Sequence, residues 1–189
     1  DYILDNRQVN VLRKYFEEKE SDLFGGMLAT LLESRNEKDF SKEFIVNIPY
    51  FMPTKEGDDF VRDNTRILWL TGQNEPDLAK KITNKVDTGI NSDNELQYMP
   101  DEGIVPVVYS FNQNGVFLNE AFRQCFGDLD YMISQTPNVC LDVQLFYMTD
   151  GLWISFVYPE EMDGTDKIEE LFISYKEMIQ KRVNKYGQE

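Results

Sequence analysis

One stretch, Tyr131-Met-Ile-Ser-Gln-Thr-Pro-Asn-Val-Cys-Leu-Asp-Val-Gln144, decides how this chain is interpreted. From Val139 to Tyr147 apolar residues alternate with others, and a period of two places the two sets on opposite faces of a β-strand. One face is apolar, whereas the other carries Asp142 and Gln144 side by side. A carboxylate on a sheet face costs free energy unless it is solvated, paired or used in chemistry. The pattern therefore predicts a strand that presents an acid and an amide on one face.

Strand patterns continue on both sides of this stretch. The sequence Met148-Thr-Asp-Gly151 predicts a hairpin turn, after which the apolar run at 152–158 returns as a second strand. Upstream, apolar runs at 44–51, 67–70 and 104–111 predict three more strands.

Helix patterns separate these strands. Apolar residues at helical spacing predict helices over 9–19 and 23–32, the second capped by Ser21 or Asp22. A third helix is expected around Pro76, and a fourth from Thr165 onward with a capping box of Asp166 and Glu169. Helices and mixed strands in this order favour one α/β domain over residues 1–189, a sandwich with helices on one side of a mixed sheet.

Composition excludes several classes of function. The formal charge of −15 argues against nucleic acid and against an anionic membrane surface. No apolar run approaches the roughly 20 residues needed to cross a bilayer. The absence of histidine rules out Ser-His-Asp and Cys-His sites and the common zinc sites, so no metal site is expected. Cys125 and Cys140, without a secretion signal, indicate free thiols in a reducing, cytoplasmic compartment.

Four segments carry a family resemblance. Ser134-Gln-Thr-Pro-Asn-Val-Cys-Leu-Asp142 resembles the Ser-Gln-Thr-Pro-Gln-Val-Trp-Leu-Asp signature of heterocyclization domains, the condensation-type domains of nonribosomal peptide synthetases that form thiazoline and oxazoline rings. Three further segments match that family in the same order. They are Phe44-Ile-Val-Asn-Ile-Pro-Tyr-Phe51, Val61-Arg-Asp-Asn-Thr65 and Pro106-Val-Val-Tyr-Ser-Phe111.

The resemblance implies a chloramphenicol-acetyltransferase-like fold, of which this chain would be the C-terminal lobe. The family's N-terminal lobe has no counterpart here, and the chain begins with Asp1 rather than Met, so we expect a piece of a longer protein. The implied partners are that lobe and peptidyl carrier proteins, which present substrates on phosphopantetheine, with no cofactor bound directly. A missing lobe would leave apolar surface uncovered, which favours self-association.

The resemblance also assigns candidate site residues. It places the family's catalytic acid at Asp142 and its catalytic hydroxyl, normally Thr, at Ser110. A carboxyl group with a raised pKa can both give and take a proton during ring closure. Substrate-orienting roles fall to Gln135, Thr136 and Gln144, since amides and hydroxyls both donate and accept hydrogen bonds. A channel element is implied at Asp63 and Thr65.

Departures from the family pattern keep alternatives open. Cys140 replaces a tryptophan, which would reshape the pocket. In addition, Arg62 replaces a glycine, Asn64 replaces a phenylalanine, and Ser110 replaces a threonine. These changes favour a non-catalytic interaction or scaffold module, in which Asp142 and Ser110 would only bond to nearby backbone. A domain that forms amides without cyclization is a third hypothesis, and the Gln-Thr-Pro and Leu-Asp elements of the signature argue against it.

Overall fold

The chain folds around one six-stranded mixed sheet. The structure, a computed structural model, describes residues 1–37, 45–51, 65–71, 77–88, 107–112, 120–127, 132, 139–160 and 165–187. Its elements are β1 (Tyr2–Asp5), α1 (Asn6–Glu17), α2 (Leu23–Glu37), β2 (Ile45–Phe51), β3 (Thr65–Thr71), α3 (Leu78–Thr88), β4 (Val107–Asn112), α4 (Glu120–Phe126), β5 (Leu141–Met148), β6 (Gly151–Val157) and α5 (Thr165–Tyr186).

The strands lie in the order β1-β6-β5-β4-β2-β3. Strand β4 runs parallel to both β2 and β5, and the other neighbouring pairs are antiparallel. Helices α1, α2 and α5 pack against one face of this sheet, and their apolar residues form a single core with alternate strand residues. The predicted mixed sheet with helices on one side is therefore confirmed.

The β5–β6 hairpin turns where the sequence predicts it. Met148 pairs with Gly151 across the β5–β6 turn, which leaves Thr149 and Asp150 as a two-residue loop. Gly151 has a positive φ of 157°, and a Cβ there would lie 1.9 Å from the backbone oxygen of Leu4. Only glycine allows β1 to approach the turn this closely.

Several local expectations differ from the structure. Helix α3 begins at Leu78, two residues after Pro76, which lies outside the described residues. Helix α5 already begins at Thr165, so the capping box of Asp166 and Glu169 is wrong. Asp166 instead lies in the first turn, where a negative charge interacts favourably with the helix dipole. Glu169 accepts a hydrogen bond from the Tyr158 hydroxyl at 3.3 Å.

Two elements carry no sequence signal that predicts them. Strand β1 has four residues and pairs only with β6, about 150 positions later in the chain, as in Leu4 opposite Leu152. Helix α4 has seven residues and buries none of them, so it shows no apolar stripe toward a core. None of the helices that the structure describes combines the length and apolarity needed to span a bilayer.

The start of α2 is tied to α3 through Asp22 and Thr83. The Asp22 carboxylate accepts hydrogen bonds from the Gly25 backbone N–H and from the Thr83 hydroxyl, both at 2.8 Å. The Asp22 backbone N–H in turn donates to Thr83 Oγ1 at 3.2 Å. The carboxylate therefore serves as an N-cap and also as a link between two helices.

We expect Asp22→Ala to lower the free energy of unfolding by about 1–2 kcal/mol, because it removes an N-cap and the carboxylate that accepts a hydrogen bond from the Thr83 hydroxyl. Asp22→Asn is the matched control, since an amide oxygen caps a helix about as well as a carboxylate. Equilibrium urea unfolding of the three proteins measures the difference. A loss of equal size in both variants would mean that charge, rather than capping, stabilises this junction.

Candidate functional site

Strand β5 has two buried faces of different character. Leu141, Val143 and Leu145 point into the helix-side core. Asp142 and Gln144 lie on the opposite face, and each is only 3% exposed. The alternation predicted from the sequence is therefore present, and it buries an acid and an amide together on the face of the sheet away from α1, α2 and α5.

The parallel pairing of β4 with β5 brings Ser110 to the same face. Val108 is in register with Asp142, and Ser110 is in register with Gln144. Ser110 is half-buried and lies beside Gln144. Asp142 lies two residues before Gln144 on β5 and is therefore diagonally across from Ser110. Neighbouring strands are about 4.8 Å apart. The hydroxyl and the carboxylate therefore lie on adjacent strands of the same face.

Gln144 and Asp142 are joined by a hydrogen bond on this face. The side-chain Nε2 of Gln144 donates to Oδ2 of Asp142 at 2.7 Å. The two residues are two positions apart on β5, so their side chains emerge on the same side of the strand. Because a carboxylate only accepts hydrogen bonds, this contact turns the amide nitrogen of Gln144 toward the acid.

Asn47 and Ser155 extend the polar set and were not singled out from the sequence. Ser155 of β6 lies opposite Gln144 and is 4% exposed. Asn47 of β2 is in register with Val108 of β4 and is 8% exposed. The available signal was the same as for Asp142, namely one polar residue inside an apolar strand run. Their strand registers, which place them near Asp142, cannot be read from local sequence.

The other candidates are more distant or lie outside the described residues. Thr65 begins β3 and pairs with Phe51, and its side chain is outside the described set. Its backbone is three strands from β5, on the order of 14 Å at normal strand spacing. Asp63, Gln135 and Thr136 lie outside the described residues.

The two cysteines and Trp153 differ in how far they are buried. Both cysteines are free, as predicted, and Cys140 is half-buried immediately before β5 rather than within it. Burial raises the pKa of the Cys140 thiol, so the neutral form is favoured. Trp153 is buried on the polar face, where its ring lies 5.9 Å from that of Phe146.

Two basic side chains on the helices, Lys80 and Arg182, are held in contacts within the fold. Lys80 forms an ion pair with Glu20 at 2.5 Å. Arg182 forms an ion pair with Glu33 and donates a hydrogen bond to the hydroxyl of Thr30 at 2.6 Å. Within the part of the chain that the structure describes, no cluster of three or more acidic or cysteine side chains could hold a metal ion.

Comparison with known proteins adds a relative by sequence. No protein-family profile matches the chain. Pyochelin synthetase PchE of Pseudomonas aeruginosa strain UCBPP-PA14 is 30% identical over 186 residues, a match that covers 85% of this chain and 12% of that protein. The chain therefore spans only a small part of the length of this relative.

Two solved structures share the fold. The nonribosomal peptide synthetase FmoA3, bound to α-methyl-L-serine-AMP, superposes with a TM-score of 0.75 at 16% identity, over 97% of this chain and 22% of that one. The cyclization-docking bidomain of EpoB from Sorangium cellulosum gives a TM-score of 0.73 at 19% identity, over 96% of this chain and 41% of that one. At these identities the likeness establishes the fold alone.

Fold and sequence together define the class. The chain is the C-terminal lobe of a condensation-type domain of the nonribosomal peptide synthetases. Among named proteins, it is a homologue of one segment of pyochelin synthetase PchE.

Proposed function

We propose that this lobe is the acceptor-side half of a heterocyclization domain. The complete domain would join a carrier-bound acyl group to Cys, Ser or Thr on the next carrier protein. It would then close a thiazoline or oxazoline ring with loss of water. The main support is that Asp142 and Ser110, the two positions assigned to catalysis, share one face of adjacent strands. The fold shared with the cyclization-docking bidomain of EpoB is compatible with this proposal.

The reaction assigns a role to each side chain. The thiol or hydroxyl of the acceptor residue attacks the carbon of the new amide, and the former carbonyl oxygen becomes a hydroxyl group. That group leaves as water after it gains a proton, while the amide nitrogen loses one and forms the C=N bond. Asp142 would give the first proton and take up the second, so its protonation state is restored. The Ser110 hydroxyl would orient the acid or the reacting oxygen.

Substrates and partners follow from the same proposal. Both reacting groups would arrive on phosphopantetheine arms of carrier proteins, and the N-terminal lobe would form the other wall of the reaction channel. This chain covers only 12% of the length of PchE, so the activity is proposed for the complete domain. The lobe by itself would be inactive.

A scaffold role is the second candidate. Arg62 and Asn64 stand where the family has glycine and phenylalanine, and Ser110 stands where it has threonine. A lobe that has lost catalysis would tolerate such changes, and it would then serve only to hold neighbouring domains together. The assay that separates the two candidates is ring formation by the complete domain.

We expect Ser110→Ala in the complete domain to slow ring closure about tenfold, the effect of one lost hydrogen bond. Ser110→Thr should retain the parent rate, because it keeps the hydroxyl. Ser174→Ala is the control, since Ser174 is a serine that lies on α5, away from the polar face, and is more deeply buried than Ser110. Mass spectrometry of the carrier-bound product distinguishes the open amide from the ring, which is lighter by one water. Failure of the parent domain to form any ring would favour the scaffold role.

A further inference from the structure

The side-chain oxygen of Gln144 is a buried acceptor with unused capacity. Gln144 is 3% exposed, and its Nε2 is held by Asp142 at 2.7 Å. Among the described residues, no hydrogen-bond donor reaches Oε1 of the same amide. An amide oxygen buried without a donor costs roughly 1–3 kcal/mol, so a position of this kind calls for a partner.

Neighbouring residues do not supply that partner. Ser110 and Ser155 are in register with Gln144 on either side, yet no hydrogen bond joins either described hydroxyl to Oε1. Rotation of the amide by 180° would not help, because it would place Oε1 against the carboxylate of Asp142. The bond to Asp142 therefore fixes the orientation of the amide and leaves its buried oxygen without a donor among the described residues. This oxygen can only accept.

We infer that Oε1 of Gln144 accepts the amide N–H of the bound substrate. This inference rests on the proposed function, in which that nitrogen gives its proton to Asp142 during ring closure. Because Gln144 contacts Asp142 directly, a nitrogen bonded to Oε1 would be held near the acid. Its single N–H would leave Oε1 and turn to the Asp142 carboxylate when the proton is transferred. Gln144 would thus position the substrate amide and select a group that donates at this atom.

An ester analogue of the substrate distinguishes this hydrogen bond from a general polar contact. A backbone ester differs from an amide by an oxygen in place of the N–H, so it offers no donor to Oε1 and brings two acceptors together. An N-acylalanyl pantetheine and the matching O-acyl-lactyl pantetheine differ at this one position. Alanine has no nucleophilic side chain, so neither conjugate can form a ring and binding can be measured alone.

We expect the complete domain to bind the amide conjugate about tenfold more tightly than the ester, as measured by isothermal titration calorimetry. In Gln144→Met, which keeps the length of the side chain without the amide, the two conjugates should bind equally. Gln144→Leu provides a second apolar variant, and unfolding midpoints of both verify that the domain is folded. Ser174→Ala should keep the tenfold preference.

Three outcomes would overturn the inference: equal binding of amide and ester by the parent, a preference that persists in both Gln144 variants, or no binding of either conjugate by the parent. None of these measurements requires ring closure. A domain that prefers the amide through Gln144 but forms no ring would contradict the proposed reaction and leave the amide contact established.

Discussion

Asp142→Asn in the complete domain is expected to slow ring closure by about 10²–10⁴-fold while amide formation continues. This range is what a positioned general acid or base contributes to a rate. Asparagine cannot carry a proton to the departing hydroxyl or remove one from the nitrogen. The first chemical step, acyl transfer to the acceptor amine, does not use Asp142 in the proposed mechanism, so the open amide should accumulate on the carrier protein.

The asparagine variant is a clean test because it conserves shape. Its side-chain oxygen can still accept the hydrogen bond from Gln144 Nε2, which in the parent is 2.7 Å from the Asp142 carboxylate. Asp150→Asn is the matched control, since Asp150 is exposed in the β5–β6 turn. Mass spectrometry of carrier-bound products over time gives both rates. Ring closure at the parent rate in Asp142→Asn would refute the role assigned to this acid.

Gly26→Ala is expected to lower the free energy of unfolding by about 3 kcal/mol, at the upper end of the usual cost of overpacking a core. A Cβ on Gly26 would lie 2.2 Å from Cγ and 2.3 Å from Cδ1 of Phe16. The Phe16 ring is buried between α1 and α2, so it cannot move aside without displacing its neighbours. The gain of about 1 kcal/mol in helix propensity from alanine is too small to compensate.

A double-mutant cycle with Phe16→Leu isolates this contact. If the ring causes the loss, Gly26→Ala should cost much less in the Phe16→Leu background, where the side chain is smaller and more easily repacked. Equilibrium urea unfolding of the four proteins gives the coupling free energy. Equal costs in both backgrounds would show that the close approach of α1 to Gly26 is not responsible.

The features that sequence predicted correctly have local causes. Strand β5 follows from alternation, and the β5–β6 hairpin follows from the turn residues at 148–151, although Gly151 pairs with Met148 and the loop itself is Thr149 and Asp150. Helices α1 and α5 follow from apolar residues at helical spacing, such as Val9, Leu12 and Phe16. The features that sequence missed lack such patterns, because β1 is short and paired with a distant strand and α4 buries nothing.

What the sequence by itself determined was that Asp142 and Gln144 share one face of a strand, because side chains in a β-strand alternate whatever the surroundings. Only the tertiary structure decided which groups meet them there. The parallel register of β4 with β5 brings Ser110 beside Gln144, and the antiparallel register of β6 brings Ser155. Strand order and register depend on packing between segments far apart in the chain, and a one-residue shift would turn Ser110 to the opposite face.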